Sequence, residues 1–210
     1  MSIIATNEGG NYTPIEAGTY AARCFSMIHI GTIPVEYQGE IKQQNKVRIS
    51  WELPTELKEF KEGEGQKPLV ISKEFTLSMH EKSNLRHFLE SWRGKGFTDD
   101  EAKGFDISKL LGKECMLSII HKPKNTGGGV YATISSVSTL PKGLVVPPQI
   151  NQTFEFAYDN FTNERFLALP DFIKDKMKQS QEFKLIANPE VTEIQNNDFH
   201  TEGNDSDLPF

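Results

Sequence analysis

The sequence predicts a mainly β protein that carries a helical insertion. Several runs alternate apolar and polar residues, which is the period of a half-buried strand, and one segment between them changes to the helical period. The chain has 210 residues, of which 37% are hydrophobic and 25% are charged. This composition is ordinary for a globular protein and too apolar for a chain that is disordered throughout.

Three strands are predicted before the insertion, over residues 19–35, 47–53 and 69–79. Pro54 is expected to end the second strand, and the charged stretch 55–67 with its glycines is typical of a solvated loop. In the third strand, Lys73 interrupts an apolar face. The alternation in all three runs indicates strands with one buried face.

The period becomes helical after Ser83, which can cap the first turn. Four apolar residues then fall on one stripe: Leu85, Phe88, Leu89 and Trp92. Such a stripe packs on a core, and Gly94 is expected to end the helix. Thr98 and Glu101 have the spacing of a capping box, which predicts a second short helix.

Two more strands are predicted over 113–121 and 130–137, joined by a basic, glycine-rich tip at 122–129. Three strands, a helical insertion and two strands within residues 18–143 predict an OB-fold, a five-stranded barrel. Such barrels bind oligonucleotides or oligosaccharides on the face of strands 2 and 3 and on the 1–2 and 4–5 loops. A generic antiparallel α+β sandwich is the alternative architecture.

The remaining segments are assigned by composition. Residues 1–17 are expected to form a flexible leader, and the Pro147-Pro148 pair marks a joint after the barrel. Residues 144–186 are too few for a core of their own, so we expect a C-terminal extension, with a short helix after Pro170, that packs on the barrel or on a partner subunit. Residues 187–210 are poor in apolar side chains and are expected to be disordered.

The net negative charge of the chain comes from that last segment, 187–210. The net charge is −6, and residues 187–210 contain six acidic residues with no Lys or Arg, so the rest of the chain is formally neutral. A neutral body can still present one basic face, because steering depends on local potential. The alternative interpretation of the tail is a solubility appendage.

The sequence indicates a cytoplasmic protein. It contains no apolar stretch long enough to cross a membrane, and residues 1–10 have neither the basic nor the apolar region of a secretion signal. Cys24 and Cys115 are too few for a disulfide framework and suit a reducing compartment.

The chain carries no motif of an enzyme. The five histidines lack metal-ligand spacing, Gly112-Lys113 lacks the other residues of a phosphate-binding loop, and no nucleophile elbow occurs. The acidic run at 99–101 is expected to serve a helix N-terminus rather than a metal. We therefore predict a protein without catalytic residues, metal or cofactor.

Binding of single-stranded nucleic acid fits the composition better, because Lys and Arg neutralise phosphates while aromatic rings stack on bases, worth about 1–3 kcal/mol each. Tyr131 is out of phase with its apolar neighbours, and Lys122 and Lys124 flank the flexible tip. Trp51 shares parity with apolar residues and either stacks on bases or packs in the core. The candidate contacts are Arg23, Tyr37, Lys46, Arg48, Trp51, Lys73, Lys122, Lys124 and Tyr131.

The chain ends in acidic residues followed by an aliphatic residue, proline and phenylalanine, over 205–210. This end resembles the acidic tip of bacterial and phage single-stranded-DNA-binding proteins. In that family, acids precede an aliphatic residue, proline and a terminal phenylalanine, and the tip docks replication, recombination and repair proteins. The matching residues here are Asp205, Asp207, Leu208, Pro209 and Phe210. Ser206 interrupts the acidic run, and Leu208 stands where the family commonly has isoleucine.

The body resembles phage and prophage members of this family over 72–94, 105–113, 121–122 and 132–143. The resemblance implies a sequence-tolerant protein that protects single-stranded DNA during replication, recombination and repair and recruits partners through its tip. Two alternatives stay open: a protein-interaction adaptor that does not bind DNA, and an OB-fold nuclease accessory or other enzyme. The oligomeric state stays open too, a homo-oligomer included.

Overall fold

The computed structural model describes residues 13–37 and 39–188. The described chain is mainly β, as predicted, with one sheet in the order β3-β2-β1-β4-β5 and a short β6 that pairs with β1. The strands are β1 Gly18–Tyr37, β2 Glu40–Glu59, β3 Gln66–Thr76, β4 Glu114–Pro123, β5 Val130–Ser138 and β6 Phe154–Phe156. The α-helices are α1 Asn84–Arg93, α2 Asp99–Lys103, α3 Asn163–Leu167, α4 Asp171–Met177 and α5 Gln181–Ala187, and 3-10 turns cover Ile107–Leu110 and Tyr158–Asn160.

The predicted end of the second strand is wrong. β2 passes through Pro54, which is buried, and continues to Glu59. Proline removes one N–H donor, but its fixed φ is compatible with extended backbone, so the residues on both sides remain in the strand. The solvated loop is correspondingly shorter than predicted.

The predicted helix after Ser83 is confirmed as α1. Its cap forms because the Ser83 hydroxyl accepts a hydrogen bond from the Arg86 backbone N–H at 3.2 Å. The helix ends at Gly94, whose φ of 68° is left-handed and whose position leaves no room for a Cβ beside Thr139. The four apolar stripe residues are all buried, and α1 lies against β3 and β5.

The second predicted helix start is also confirmed. The Thr98 hydroxyl accepts from the Glu101 N–H, and the Glu101 carboxylate accepts from the Thr98 N–H, which completes a capping box at α2. Glu101 also accepts a hydrogen bond from Arg93 at 2.7 Å. These hydrogen bonds lower the pKa of the Glu101 carboxyl. Glu101, the last residue of the acidic run at 99–101, therefore caps and anchors the helix.

A β-bulge shapes the β4–β5 hairpin. Ser118 pairs with Ser136, but the next residue, Ile119, pairs with Ile134, so Ser135 is the extra residue. The bulge changes which face the following side chains occupy. As a result Ile134 and Val137 are both buried although they are three residues apart.

The chain divides into two compact units. Within the described residues, the first contains 13–27 together with 49–155, and the second contains 28–37 and 39–48 together with 156–188. The first unit has a core that includes Trp51, Phe75, Phe88 and Trp92. These units cut across the predicted ranges 18–143 and 144–186, because β1 and β2 are long enough to belong to both units.

The second unit joins the later part of β1 and the earlier part of β2 to α3, α4 and α5. Its centre is a cluster of rings in edge-to-face and tilted contact: Phe156, Tyr158, Phe161, Phe166 and Phe183. The helix predicted after Pro170 is α4. The short helices on either side of it, α3 and α5, were not predicted.

Two predicted segments lie largely outside the described residues. These are the leader, of which residues 13–17 are described, and the tail, of which Ala187 and Asn188 are described. Ile15 at the end of the leader range is buried, and its carbonyl oxygen lies 2.8 Å from His121 Nε2. No helix in the described ranges has both the length and the apolar character needed to cross a membrane.

Candidate nucleic-acid interface

The free end of the β4–β5 hairpin brings together three of the predicted contacts. Lys122 and Tyr131 are directly opposite in the antiparallel register, so their side chains share one face. Both are exposed, Tyr131 to 42%. Lys124 follows at the tip and is exposed as well, and its N–H donates to the Gly129 carbonyl oxygen at 3.1 Å.

The backbone of the tip strongly favours glycine. Gly127, Gly128 and Gly129 have φ values of 78°, 69° and 81°, a left-handed conformation that other residues rarely adopt. A Cβ at any of the three would meet open space, so backbone conformation rather than crowding selects glycine here. The loop therefore presents bare backbone beside the two lysines.

The surrounding sequence contains no opposing charge. Between Glu114 and Glu155 the chain has no Asp or Glu, whereas it contains Lys122, Lys124 and Lys142. Phosphate approaching this hairpin meets cations without a nearby carboxylate from the same segment. This acid-free run was not among the predicted features, although a simple count of acidic residues along the chain reveals it.

The face that carries Lys122 and Tyr131 also contains Ile120 and Thr133, which form the next pair on that face. Ile120 is 39% exposed. A cation beside an exposed ring, next to a small apolar surface, can neutralise one phosphate while the ring stacks on a neighbouring base. This pattern fits a single strand, whose bases are available for stacking.

Lys73 has a different environment from the one that a phosphate contact requires. It is half-buried, and its Nζ donates a hydrogen bond to the Ile134 carbonyl oxygen at 2.9 Å. Nζ also lies 5.5 Å from the ring centroids of both Phe75 and Phe88. Lys73 therefore interacts with the protein itself.

Arg23 likewise binds protein groups. Its guanidinium donates to the Glu114 carboxylate at 2.5 Å, to the Gly112 carbonyl oxygen at 2.9 Å and to the Pro147 carbonyl oxygen at 3.1 Å. The side chain is 15% exposed. Arg23 fastens the segment after β5 to β1 and has little surface left for phosphate.

Tyr37, Lys46 and Arg48 belong to the second unit, whereas the hairpin belongs to the first. Tyr37 is exposed at the end of β1, with Lys42 Nζ at 5.9 Å from its ring centroid. The Arg48 guanidinium lies 5.2 Å from the Phe172 ring centroid, and Lys46 is half-buried. The ring that helix α4 provides for Arg48 could not be predicted from the sequence.

Of the two environments considered for Trp51, stacking on bases or packing in the core, the structure shows the ring packed in the core. It is fully buried, and its ring lies 5.6 Å from that of Phe88 and 5.8 Å from that of Trp92, measured between centroids. A ring enclosed in this way has no face available to a base. Stacking of Trp51 on bases stays a prediction from sequence, and it would require the ring to leave this enclosed position.

The opposite face of β2 is covered as well. Glu52 is fully buried and accepts hydrogen bonds from the Ile150 N–H, the Asn151 N–H and the Asn151 side-chain amide, at 2.7–2.9 Å. Ser50 and Pro54, on the same face, are also buried. Between residues 50 and 54, β2 thus offers no open surface, which removes part of the strand 2–3 face that an OB-fold commonly uses.

The predicted docking tip lies outside the described residues. It comprises Asp205, Asp207, Leu208, Pro209 and Phe210. Its role stays a prediction from sequence.

Potential metal ligands and thiols have a defined environment in the part of the chain that the structure describes. No group of three or more His, Cys, Asp or Glu residues there is arranged to hold a metal ion. Burial raises the pKa of the Cys24 thiol to about 12, and burial also raises the pKa of Cys115. Both thiols therefore remain protonated and poorly nucleophilic at neutral pH.

No protein-family model matches this chain, and no curated protein sequence matches it. The functional interpretation therefore depends on the geometry of the hairpin, on the distribution of charge and on the resemblance of the C-terminal residues.

Proposed function

We propose that this protein binds single-stranded DNA without strong sequence preference, through the β4–β5 hairpin of an OB-type barrel. Its acidic C-terminal tip would recruit replication and recombination proteins. The observation that carries the proposal is the cross-strand pair of Lys122 and Tyr131, both exposed, in a segment without acidic residues.

The strand order supports an OB-type barrel. In the sheet order β3-β2-β1-β4-β5, the two edge strands are β3 and β5, and Lys73 of β3 donates to a β5 carbonyl group. Helix α1 follows β3 in the chain and lies against both edge strands. A barrel arises when such edges approach each other, with the helix between the third and fourth strands.

The chemistry of the hairpin supports a nucleic-acid ligand over a protein ligand. Two lysines and one ring at a glycine tip provide charge neutralisation and stacking, which are the two contributions that single-strand binding uses. Protein interfaces instead have a buried apolar centre with few lysines. Binding that depends on Lys122 and Lys124 should weaken with salt because counterions are released from the DNA.

The decisive experiment is a titration of fluorescent oligo-dT with the full-length protein at about 50 and about 200 mM salt. We expect saturable binding that weakens with salt. The double substitution Lys122→Ala and Lys124→Ala should reduce the slope of log K against log salt by about 0.7 for each lost phosphate contact. Tyr131→Ala should cost about 1–3 kcal/mol of binding.

The matched controls lie on the acid-rich segment around the β2–β3 loop. Lys58→Ala combined with Lys61→Ala removes two exposed lysines, and Phe60→Ala removes a ring that is 57% exposed. These variants should bind oligo-dT like the parent protein. Equal losses in the control and hairpin variants would refute the hairpin site, and absence of salt-sensitive binding by the parent protein would favour the adaptor alternative.

A further inference from the structure

Lys73 is a cation on the apolar face of an edge strand. Ile71 and Phe75 flank it at the same parity on β3, and both are buried. An ammonium group placed there loses hydration, which is costly unless other groups replace the water. The replacement comes from the Ile134 carbonyl oxygen at 2.9 Å and from the faces of the Phe75 and Phe88 rings.

The acceptor of this hydrogen bond lies where β5 most needs support. Within the described residues, β5 is an edge strand, so a hydrogen-bonded ladder holds it on one side only, through β4. Ile134 directly precedes Ser135, the extra residue of the bulge, where the ladder is interrupted. The Lys73 hydrogen bond therefore ties β5 to β3 at the weak point of its own pairing.

The same strand carries the exposed ring of the proposed interface. Tyr131 is three residues before Ile134, and its position opposite Lys122 depends on the β4–β5 register. Burial lowers the pKa of Lys73, and the charge of Lys122 lowers it further.

We infer that Lys73 is a positioning residue: it fastens β5 to β3 and so holds Tyr131 opposite Lys122, and it makes no contact with phosphate. This role rests on the proposed function only for its effect on DNA binding. The link between the two edge strands is a property of the fold and can be measured without DNA.

The first arm of the test compares three full-length variants by oligo-dT titration over a series of salt concentrations. Lys73→Met removes charge and donor, and Lys73→Gln keeps a donor, one bond shorter, without the charge. We expect Lys73→Met to weaken binding about three- to tenfold with an unchanged salt slope, and Lys73→Gln to recover part of the loss. Lys122→Ala should instead lower the slope by about 0.7.

The second arm measures amide hydrogen exchange of peptides covering 130–138, with no DNA present. Exchange should be faster in Lys73→Met than in the parent protein. Lys67→Met is the matched control, since Lys67 is exposed on the same strand and pairs with Glu64 at 2.7 Å. This control should leave exchange in β5 unchanged.

The two arms separate the outcomes. Unchanged exchange in Lys73→Met would refute the link between β3 and β5. A slope that falls by about 0.7 in both Lys73 variants would make Lys73 a phosphate contact. Faster exchange with unaltered affinity would refute the connection to the DNA site. If the parent protein binds no oligo-dT, the proposed function fails, while the exchange arm still decides whether Lys73 holds β5.

Discussion

Trp51 and Lys73 are both central residues of predicted strands. The sequence pattern predicts the environment of the Trp51 side chain better than that of Lys73. Parity places Trp51 with Val47, Ile49 and Leu53, and all four are buried. Parity could not decide between stacking and packing, because a barrel strand can turn either face toward a ligand. Contact with α1, which is distant in sequence, decides it.

Substitution of Trp51 should affect stability and leave DNA binding intact. We expect Trp51→Ala to lower the free energy of unfolding by about 3–5 kcal/mol, because it leaves a cavity among Phe88 and Trp92. Chemical denaturation measures this loss. The milder Trp51→Phe should keep the fold and bind oligo-dT with the parent affinity, and a marked loss of affinity in that folded variant would return Trp51 to the binding site.

Lys73 shows why charged residues are harder to assign. The sequence displays a cation within a strand, and the candidate site included it for that reason. Only the fold supplies the carbonyl group and the two rings that surround it. The environment of Arg23 was equally hidden from the sequence, since its partners are backbone and carboxylate groups that lie about ninety or more residues away in the chain.

At the scale of elements, the first residues of the helices α1 and α2 were predicted best. The caps at Ser83 and Thr98 depend on residues within one turn, so a local pattern is sufficient. Helices α3 and α5 have five and seven residues, too short to be stable by themselves. Their stability comes from ring packing between Phe161, Phe166 and Phe183, which a local pattern does not reveal.

Helix α5 is fastened to β1 by a single carboxylate. Glu182 Oε2 accepts from the Thr32 N–H at 2.7 Å, and Oε1 accepts from the Thr32 hydroxyl at 2.8 Å. The close approach requires Gly31, whose φ is +95° and where a Cβ would lie 2.6 Å from Glu182 Oε2. Burial alone would raise the pKa of Glu182, but these hydrogen bonds outweigh it and keep the pKa below its ordinary value.

The attachment of α5 should therefore be sensitive to acid. Because the pKa is lowered in the folded state, the carboxylate contributes its full stability above the ordinary value of 4.5 and loses it as pH falls through the lower folded pKa. Glu182→Gln should destabilise the fold by about 1 kcal/mol at pH 7, a discounted figure because the group is partly exposed. Thermal unfolding at neutral and acidic pH measures the difference.

The exposed Glu164 on α3 offers the control substitution, Glu164→Gln, which should change stability little at either pH. The difference between Glu182→Gln and the parent protein should shrink as the pH falls well below 4.5. A difference that is the same at both pH values would contradict an anchoring role for the charged carboxylate.

At the scale of the whole molecule, the sequence predicted the mainly β class, the position of the helical insertion and the hairpin with Lys122, Lys124 and Tyr131. It did not predict that β1 and β2 extend far enough to build a second unit with the C-terminal helices. The length of a strand depends on its pairing with distant segments. Alternation within one run of the sequence therefore predicts only the minimum length of the strand.

The separation of charge leads to a prediction for the entire chain. Residues 189–210 contain six acidic residues and no Lys or Arg, so under the proposed function we expect this segment to compete electrostatically with DNA for the hairpin lysines. Deletion of 189–210 should leave oligo-dT affinity equal or make it tighter, with the larger effect at low salt. Markedly weaker binding by the truncated protein, with an unchanged circular dichroism spectrum, would contradict this view of the tail.

The enclosure of both native thiols has a practical consequence for studying the hairpin. Cys24 and Cys115 are buried and protonated at neutral pH, so maleimide reagents should leave them unmodified in the folded protein. Thr126→Cys would then place one reactive sulfur on the exposed tip. A dye attached there reports directly on that loop, with no need to remove either wild-type cysteine.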